Sequence, residues 1–208
     1  MCCYNVFLLT HLIAKIVTDK KIIMETKERS INEIARGDAV LPDTPTSAKG
    51  SIEIINYRPE HQHHFENLNR AWIEKFFWME ETDRYVLENP EEAIMAKGGA
   101  ILMASCDGEI AGTVALKKVN NNVFEFTKMA VDERFRRRGI AEALSYAAFE
   151  KAKELGATKV ILYSNRILKP AITMYHKLGF VEVPVEKDSG YERSDIKMEI
   201  DLKNLEPL

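Results

Sequence analysis

Four arginines in the run Arg134-Phe135-Arg136-Arg137-Arg138, followed at once by Gly139-Ile140-Ala141, are the residues of this chain whose types and spacing point most directly to a chemistry. The run stands where a strand pattern (Val123 to Val131) gives way to a helical period through Ile140, Leu144, Ala148 and Ala152. Unpaired N–H groups and the positive end of a helix therefore converge there, which suits a phosphate or pyrophosphate. Gly139 and Ala141 are small where a diphosphate must approach the main chain. From Lys128 to Arg138 five basic residues stand against Asp132 and Glu133, a local excess of +3. No Lys-Ser/Thr pair follows the glycine and no three-glycine fingerprint is present, so the loop is neither a P-loop nor a dinucleotide-binding turn. Read alone, such a basic run before a helix is more often a solvated face or a weak nucleic-acid patch. His61, His63 and His64 invite a metal, but no nearby Cys or carboxylate completes a ligand set, and no metal site is expected.

The elements that would hold this loop can be read from periodicity. An alternating strand, Ile52 to Tyr57, precedes a Pro59-initiated helix with Phe65, Leu68, Trp72, Ile73 and Phe76 at helical spacing. Asn89-Pro90-Glu91-Glu92 reads as the start of a second helix, with proline where a missing N–H is harmless and acids at the positive dipole end. Ala100 to Cys106 and Glu109 to Val119 flank Asp107-Gly108, a tight hairpin turn, and Val123 to Val131 follows as a third consecutive strand. A helix to Leu155, a buried strand Lys159 to Ser164, a short helix Pro170 to Leu178 and two last strands near Phe180 to Glu186 and Ser194 to Leu202 complete the order. This is a mixed α/β sheet, and the order is unlike the alternating βαβ pattern of a nucleotide-binding fold.

Arg136-x-x-Gly139-x-Ala141, preceded by Lys128-Met129-Ala130-Val131 and followed by Ala171-Ile172-Thr173-Met174-Tyr175-His176-Lys177-Leu178-Gly179-Phe180, resembles the GNAT superfamily of acetyl-CoA-dependent N-acetyltransferases. The resemblance covers about residues 52 to 202. It implies a central mixed, mostly antiparallel sheet of about seven strands flanked by about four helices. It also implies acetyl-CoA as cosubstrate, its pyrophosphate on the loop from Arg136 through Arg137, Arg138, Gly139, Ile140 and Ala141 to Glu142. The pantetheine arm would pair with the main chain of Met129, Ala130 and Val131. Tyr175 takes the position of the superfamily's general acid, and Glu125 that of the catalytic Glu of its histone-acetylating branch. Many relatives carry Asn where this chain has Leu168, and the nearby Asn165 is the candidate cofactor contact in its place. The acceptor would be a primary amine of a small molecule or peptide. A non-catalytic acyl-CoA-binding sensor is the alternative, and the presence of Tyr175 argues for turnover.

Bulk properties narrow the setting. A chain of 208 residues with 46% apolar residues supports one domain, expected over 51–208, with 1–50 a flexible extension and linker. A net charge of -3 gives no general affinity for nucleic acid. Three cysteines form no disulfide framework, and the apolar run Val6 to Val17, broken by His11 and Lys15, is too short to span a bilayer. A cytoplasmic protein without a membrane or nucleic-acid partner is expected, and a homodimer is compatible with it. Between Glu80 and Glu92 six acids stand against Arg84 alone. If they wall the acceptor groove they favour cationic amines; otherwise they serve helix termini.

Overall fold

In the computed structural model, residues 51–186 and 192–205 are described. The expected extension over 1–50 lies outside the described residues. Alternating Ile52–Asn56 forms β1, and Gln62–Phe76 forms α1, whose inward face buries Phe65 and Ile73. A second helix, α2, spans Glu81–Glu88. The expected helix start at Asn89-Pro90 is met, but α2, which periodicity did not show, ends at the same point. Proline has no N–H and crowds the preceding residue out of the helical region, and Asn89 indeed stands at φ -131°. A single π-helical turn, Glu91–Met95, follows.

The remaining elements are β2 (Ala100–Cys106), β3 (Glu109–Lys118), β4 (Val123–Val131), α3 (Ile140–Glu154), β5 (Lys159–Ser164), α4 (Lys169–Lys177), β6 (Val181–Val183) and β7 (Ile196–Asp201). One sheet of seven strands results, in the order β1-β2-β3-β4-β5-β7-β6. Only β4 and β5 run parallel; the other neighbours are antiparallel. The expected mixed, mostly antiparallel sheet is what the chain builds. Phe124, Phe126, Leu144, Phe149 and Phe180 fill the layer under α3 and α4, and Phe65, Ile73, Leu87 and Met103 fill the layer under α1 and α2. Gly112 lets α3 sit close, since a Cβ there would come within 3.0 Å of the Ala130 carbonyl oxygen and of the Leu144 side chain.

Strand β4 departs from regularity at one point. Thr113 pairs with Ala130 but Ala115 with Thr127, so Lys128 and Met129 together oppose Val114. This is a β-bulge, and Lys128 takes the left-handed conformation at φ 52°. The bulge flips the side-chain phase: Phe124 and Phe126 pack under α3 before it, Met129 and Val131 on that same cluster after it. Simple alternation would place Glu125, Thr127 and Met129 on one face, and the bulge overrides it. Parallel pairing of β4 with β5 ends at Glu125 and Ile161, just before the bulge. Beyond it the β5-side edge of β4 has no strand partner among the described residues.

Candidate active site

The parted strands open a cavity of about 1360 Å³, walled by α1 (Leu68, Trp72), by β4 from Phe126 to Val131, by the end of β5 and by α4. Met129, Ala130 and Val131 all line it. An unpaired strand edge offers N–H and C=O groups at peptide spacing, so an extended ligand with amides of its own can add there as a strand would.

At the end of β4 the chain prepares a second, smaller cavity. Asp132 accepts a hydrogen bond from the Arg134 N–H (2.9 Å) and starts a single 3₁₀ turn, Glu133–Phe135, that buries Phe135. Arg137 then takes φ 63° and Gly139, the N-cap of α3, φ 90°. Two left-handed residues beside a helix start gather main-chain N–H groups around one concavity, the arrangement that binds anions. The space there is about 350 Å³, lined by Arg136, Arg137, Gly139, Ile140, Ala141 and Glu142 and closed from α4 by Thr173 and Lys177.

The positive charge is distributed differently from the sequence count. Arg134 pairs with Glu109 and Asp132, Arg136 with Glu133 (3.0 Å), and Arg138 with Asp107 (3.6 Å). Arg138 lines neither cavity; its guanidinium lies over the Phe135 ring. Arg137 has no ion-pair partner among the described residues and faces the smaller cavity. Lys128 does not belong to the patch at all. Its side chain is 3% exposed and its Nζ lies 2.7 Å from Asp83 Oδ1, which corrects the local excess of +3.

Tyr175 lines the large cavity from α4, its ring edge-on to Phe126 and Phe180 at 6.1 and 5.9 Å. Burial pushes its phenol up to about 12. Its hydroxyl therefore keeps its proton throughout the neutral range, as a general acid must. His176, one step around the helix, is exposed. Glu125 is buried on the sheet face opposite α3, with Lys117 Nζ 3.8 Å from its Oε2. It stands one residue short of the cavity wall, which begins at Phe126. Asn165 lines the cavity, but its Oδ1 accepts from the Ile167 N–H (3.0 Å) and its Nδ2 donates to the Arg193 carbonyl (2.6 Å). That amide is engaged in shaping the turn after β5. Of the three histidines, His61 accepts from the Arg58 N–H, while His64 lines the large cavity. Desolvation, and then the neighbouring His63 and His61, lower the pKa of His64. Among the described residues no group of three potential metal ligands exists, and no helix is long and apolar enough to cross a membrane.

One constellation escapes a reading of periodicity. Asp83 of α2, fully buried, receives both Lys128 and Arg193, and Arg193 also reaches Glu80 (3.1 Å). Burial alone would raise the Asp83 carboxyl, but the hydrogen bond from Arg193 and the charge of Lys128 outweigh it and hold the group below the usual carboxylate range. The signal was present in VFEFTKMAV: a lysine inside an apolar strand must find an acid elsewhere in the chain. Spacing does not say which one.

Comparison with known proteins adds to this geometry. The family model for the acetyltransferase (GNAT) family matches residues 58–180. N-acetylaspartate synthetase of Homo sapiens is 31% identical over 103 residues, which are 49% of this chain and 32% of that protein. The chain spans between 32% and 40% of the length of the curated relatives that match it first. An acetyltransferase of the GNAT family from Staphylococcus aureus Mu50 superposes with a TM-score of 0.66 at 21% identity, covering 73% of this chain and 99% of that one. PaiA N-acetyltransferase from Thermoplasma acidophilum, solved in complex with coenzyme A, does so with 0.58 at 19% identity, covering 73% and 99%. At such identities these two structures speak to the fold.

Proposed function

Since this chain belongs to the acetyltransferase (GNAT) family, we propose that it moves the acetyl group of acetyl-CoA to a primary amine of a small molecule or peptide by direct attack. The observation that carries this reading is the parting of β4 from β5, which leaves an open strand edge running from Tyr175 to the anion-binding start of α3. The main chain of Arg137 to Glu142 holds the pyrophosphate, and the open edge at Met129, Ala130 and Val131 pairs with the pantetheine arm. That PaiA, on the same fold, was solved with coenzyme A supports coenzyme A as the kind of ligand this site takes.

The acceptor amine must lose a proton and the departing thiolate must gain one. Tyr175 supplies the second proton from a phenol that stays neutral up to about 12. Glu125, next to the cavity wall, takes the first through a water. The reading places the catalytic domain over 51–208 and the reaction in a cytoplasmic, reducing setting.

A thiol-release assay with acetyl-CoA across polyamines, amino acids, aminoglycosides and peptides tests it. Thiol should appear in proportion to acetylated amine. Tight acetyl-CoA binding with no thiol released for any acceptor would instead make the protein a sensor of the cofactor.

A further inference from the structure

We propose that Asp83 is a positioning residue for acetyl transfer: through Lys128 it fixes the β4 bulge and so the direction in which the Met129 and Ala130 main chain faces the acyl group. The proposal rests on the functional reading above. A regular pleat would put residue 128 on the same face as Phe124 and Phe126, under α3, where the layer is apolar and holds Leu144 and Phe149. An ammonium has no counter-charge there. Instead the strand bulges, Lys128 takes φ 52°, and its side chain turns to Asp83 at 2.7 Å. A non-glycine residue avoids that region of backbone space unless its surroundings hold it. The holding group is a carboxylate that is itself 0% exposed and fixed from a second side by Arg193, with Nη2 2.9 Å from Oδ1.

The bulge lies two residues past Phe126, where the cavity wall begins, and Met129 and Ala130 follow it directly on that wall. The side chain of Asp83 does not line the cavity. Arg193, the other partner of Asp83, does line it, so the Lys128→Gly background is what isolates the route through the backbone at Lys128.

A glycine at 128 adopts the left-handed conformation without a tether, which gives the test its logic. Asp83→Asn, Lys128→Met, Lys128→Gly and the double variant Asp83→Asn/Lys128→Gly are compared for kcat, for KM of acetyl-CoA and for thermal midpoint. Asp83→Asn and Lys128→Met should each lower kcat about tenfold, the population bias against a non-glycine left-handed residue, and leave the KM within about threefold. Lys128→Gly should lose less than Lys128→Met despite losing the same charge. In the Lys128→Gly background Asp83→Asn should add nothing further.

An equal loss from Asp83→Asn in both backgrounds overturns the proposal, as does wild-type kcat in Asp83→Asn. Should Asp83→Asn fail to fold, the comparison of Lys128→Gly with Lys128→Met still decides. Should the wild type transfer acetyl to no acceptor, the functional reading fails separately. The backbone ¹⁵N–¹H resonances of Met129 and Ala130 then carry the test: Asp83→Asn must move them in the wild-type background and not in the Lys128→Gly background.

Discussion

Replacing Tyr175 by Phe separates what the phenol does for catalysis from what the ring does for the fold. The ring contacts to Phe126 and Phe180 are made by carbon atoms and survive the change. The hydroxyl has no hydrogen-bond partner among the described residues, so its removal should alter stability by less than about 0.5 kcal/mol, or about 1–2 °C in Tm. Catalysis should respond far more. A thiolate with an unperturbed pKa near ~8.5 leaves faster when protonated as the bond breaks, and a positioned general acid typically contributes about 10²- to 10⁴-fold. Single-turnover rates of acetyl transfer, which isolate chemistry from product release, should fall by that range while the Kd for acetyl-CoA stays unchanged. The folded-state pKa of about 12 adds a pH signature. It lies above the unfolded value of about 10, so the stability linked to Tyr175 is fully present below pH 10 and is lost as pH rises through 12. Tyr175→Phe should therefore unfold less readily than wild type in that alkaline window and equally at neutral pH. Wild-type single-turnover rates in Tyr175→Phe would remove Tyr175 as the acid.

Other outcomes follow from the same geometry. At Gly139 a Cβ meets nothing within 4 Å, but φ is 90°, so Gly139→Ala should weaken acetyl-CoA binding through backbone strain of about 1–2 kcal/mol. Gly139→Asp, which adds a negative charge facing the diphosphate, should abolish binding in calorimetry; undiminished affinity would refute the loop assignment, and Arg137→Ala should do much less. Glu125→Gln should reduce kcat/KM most at low pH, where neutral amine is scarce, and progressively less toward the amine's own pKa near ~10; a flat defect would make Glu125 a positioning residue. Asp83→Ala leaves Lys128 buried without its carboxylate and should cost about 3–5 kcal/mol in denaturant unfolding. Because the Asp83 carboxyl is held below its usual range, its contribution is present above pH ~4 and lost as pH falls through the folded value, so Asp83→Asn should flatten the acid limb of the stability profile. For a cationic acceptor, KM should depend little on salt: Asp83 is buried, Glu80 faces Arg193, Glu91 accepts from Tyr57, and no residue from 80 to 92 lines the cavity.

Periodicity and turn chemistry carried most of the fold, because every strand and most of the helices of this domain announce themselves within their own residues. Asp107-Gly108 marks the hairpin, the apolar run KVILYS marks the central strand, and Gly139 marks the start of α3. What local pattern could not show depends on partners far along the chain. The end of the second helix at Asn89 was hidden because Asn-Pro-Glu-Glu suits a helix start as well as a helix stop. The bulge at Lys128 was hidden because VFEFTKMAV alternates acceptably on paper, and only the partner 45 residues away makes its lysine point the other way. The candidate anion site was legible because it is built from consecutive residues. The acceptor end was not, since α1, β5 and the residues around Arg193 converge there from separate parts of the sequence.

The order of features along β4 has a mechanical meaning. Pairing with β5 stops at Glu125, the bulge falls at Lys128, the strand ends at Val131 and the helix starts at Ile140. Five residue steps from Phe126 to Val131 cover about 17 Å at the usual strand rise, so the strand itself fixes the separation between the reacting end and the diphosphate end of a ligand lying along it. Deleting the bulge would invert the side-chain phase of everything after it and turn the Met129 and Val131 side chains out of the α3 layer. The bulge is thus held in place by the core beneath it, and it falls on the strand edge where the proposed cofactor would lie. Side chains along the same stretch need only satisfy the core, because the proposed cofactor contacts are made by main chain. That accounts for a fold retained against the Staphylococcus aureus acetyltransferase at 21% identity, and under the proposed function it leaves the walls contributed by α1 and the Arg193 segment as the part of the site that would choose the acceptor.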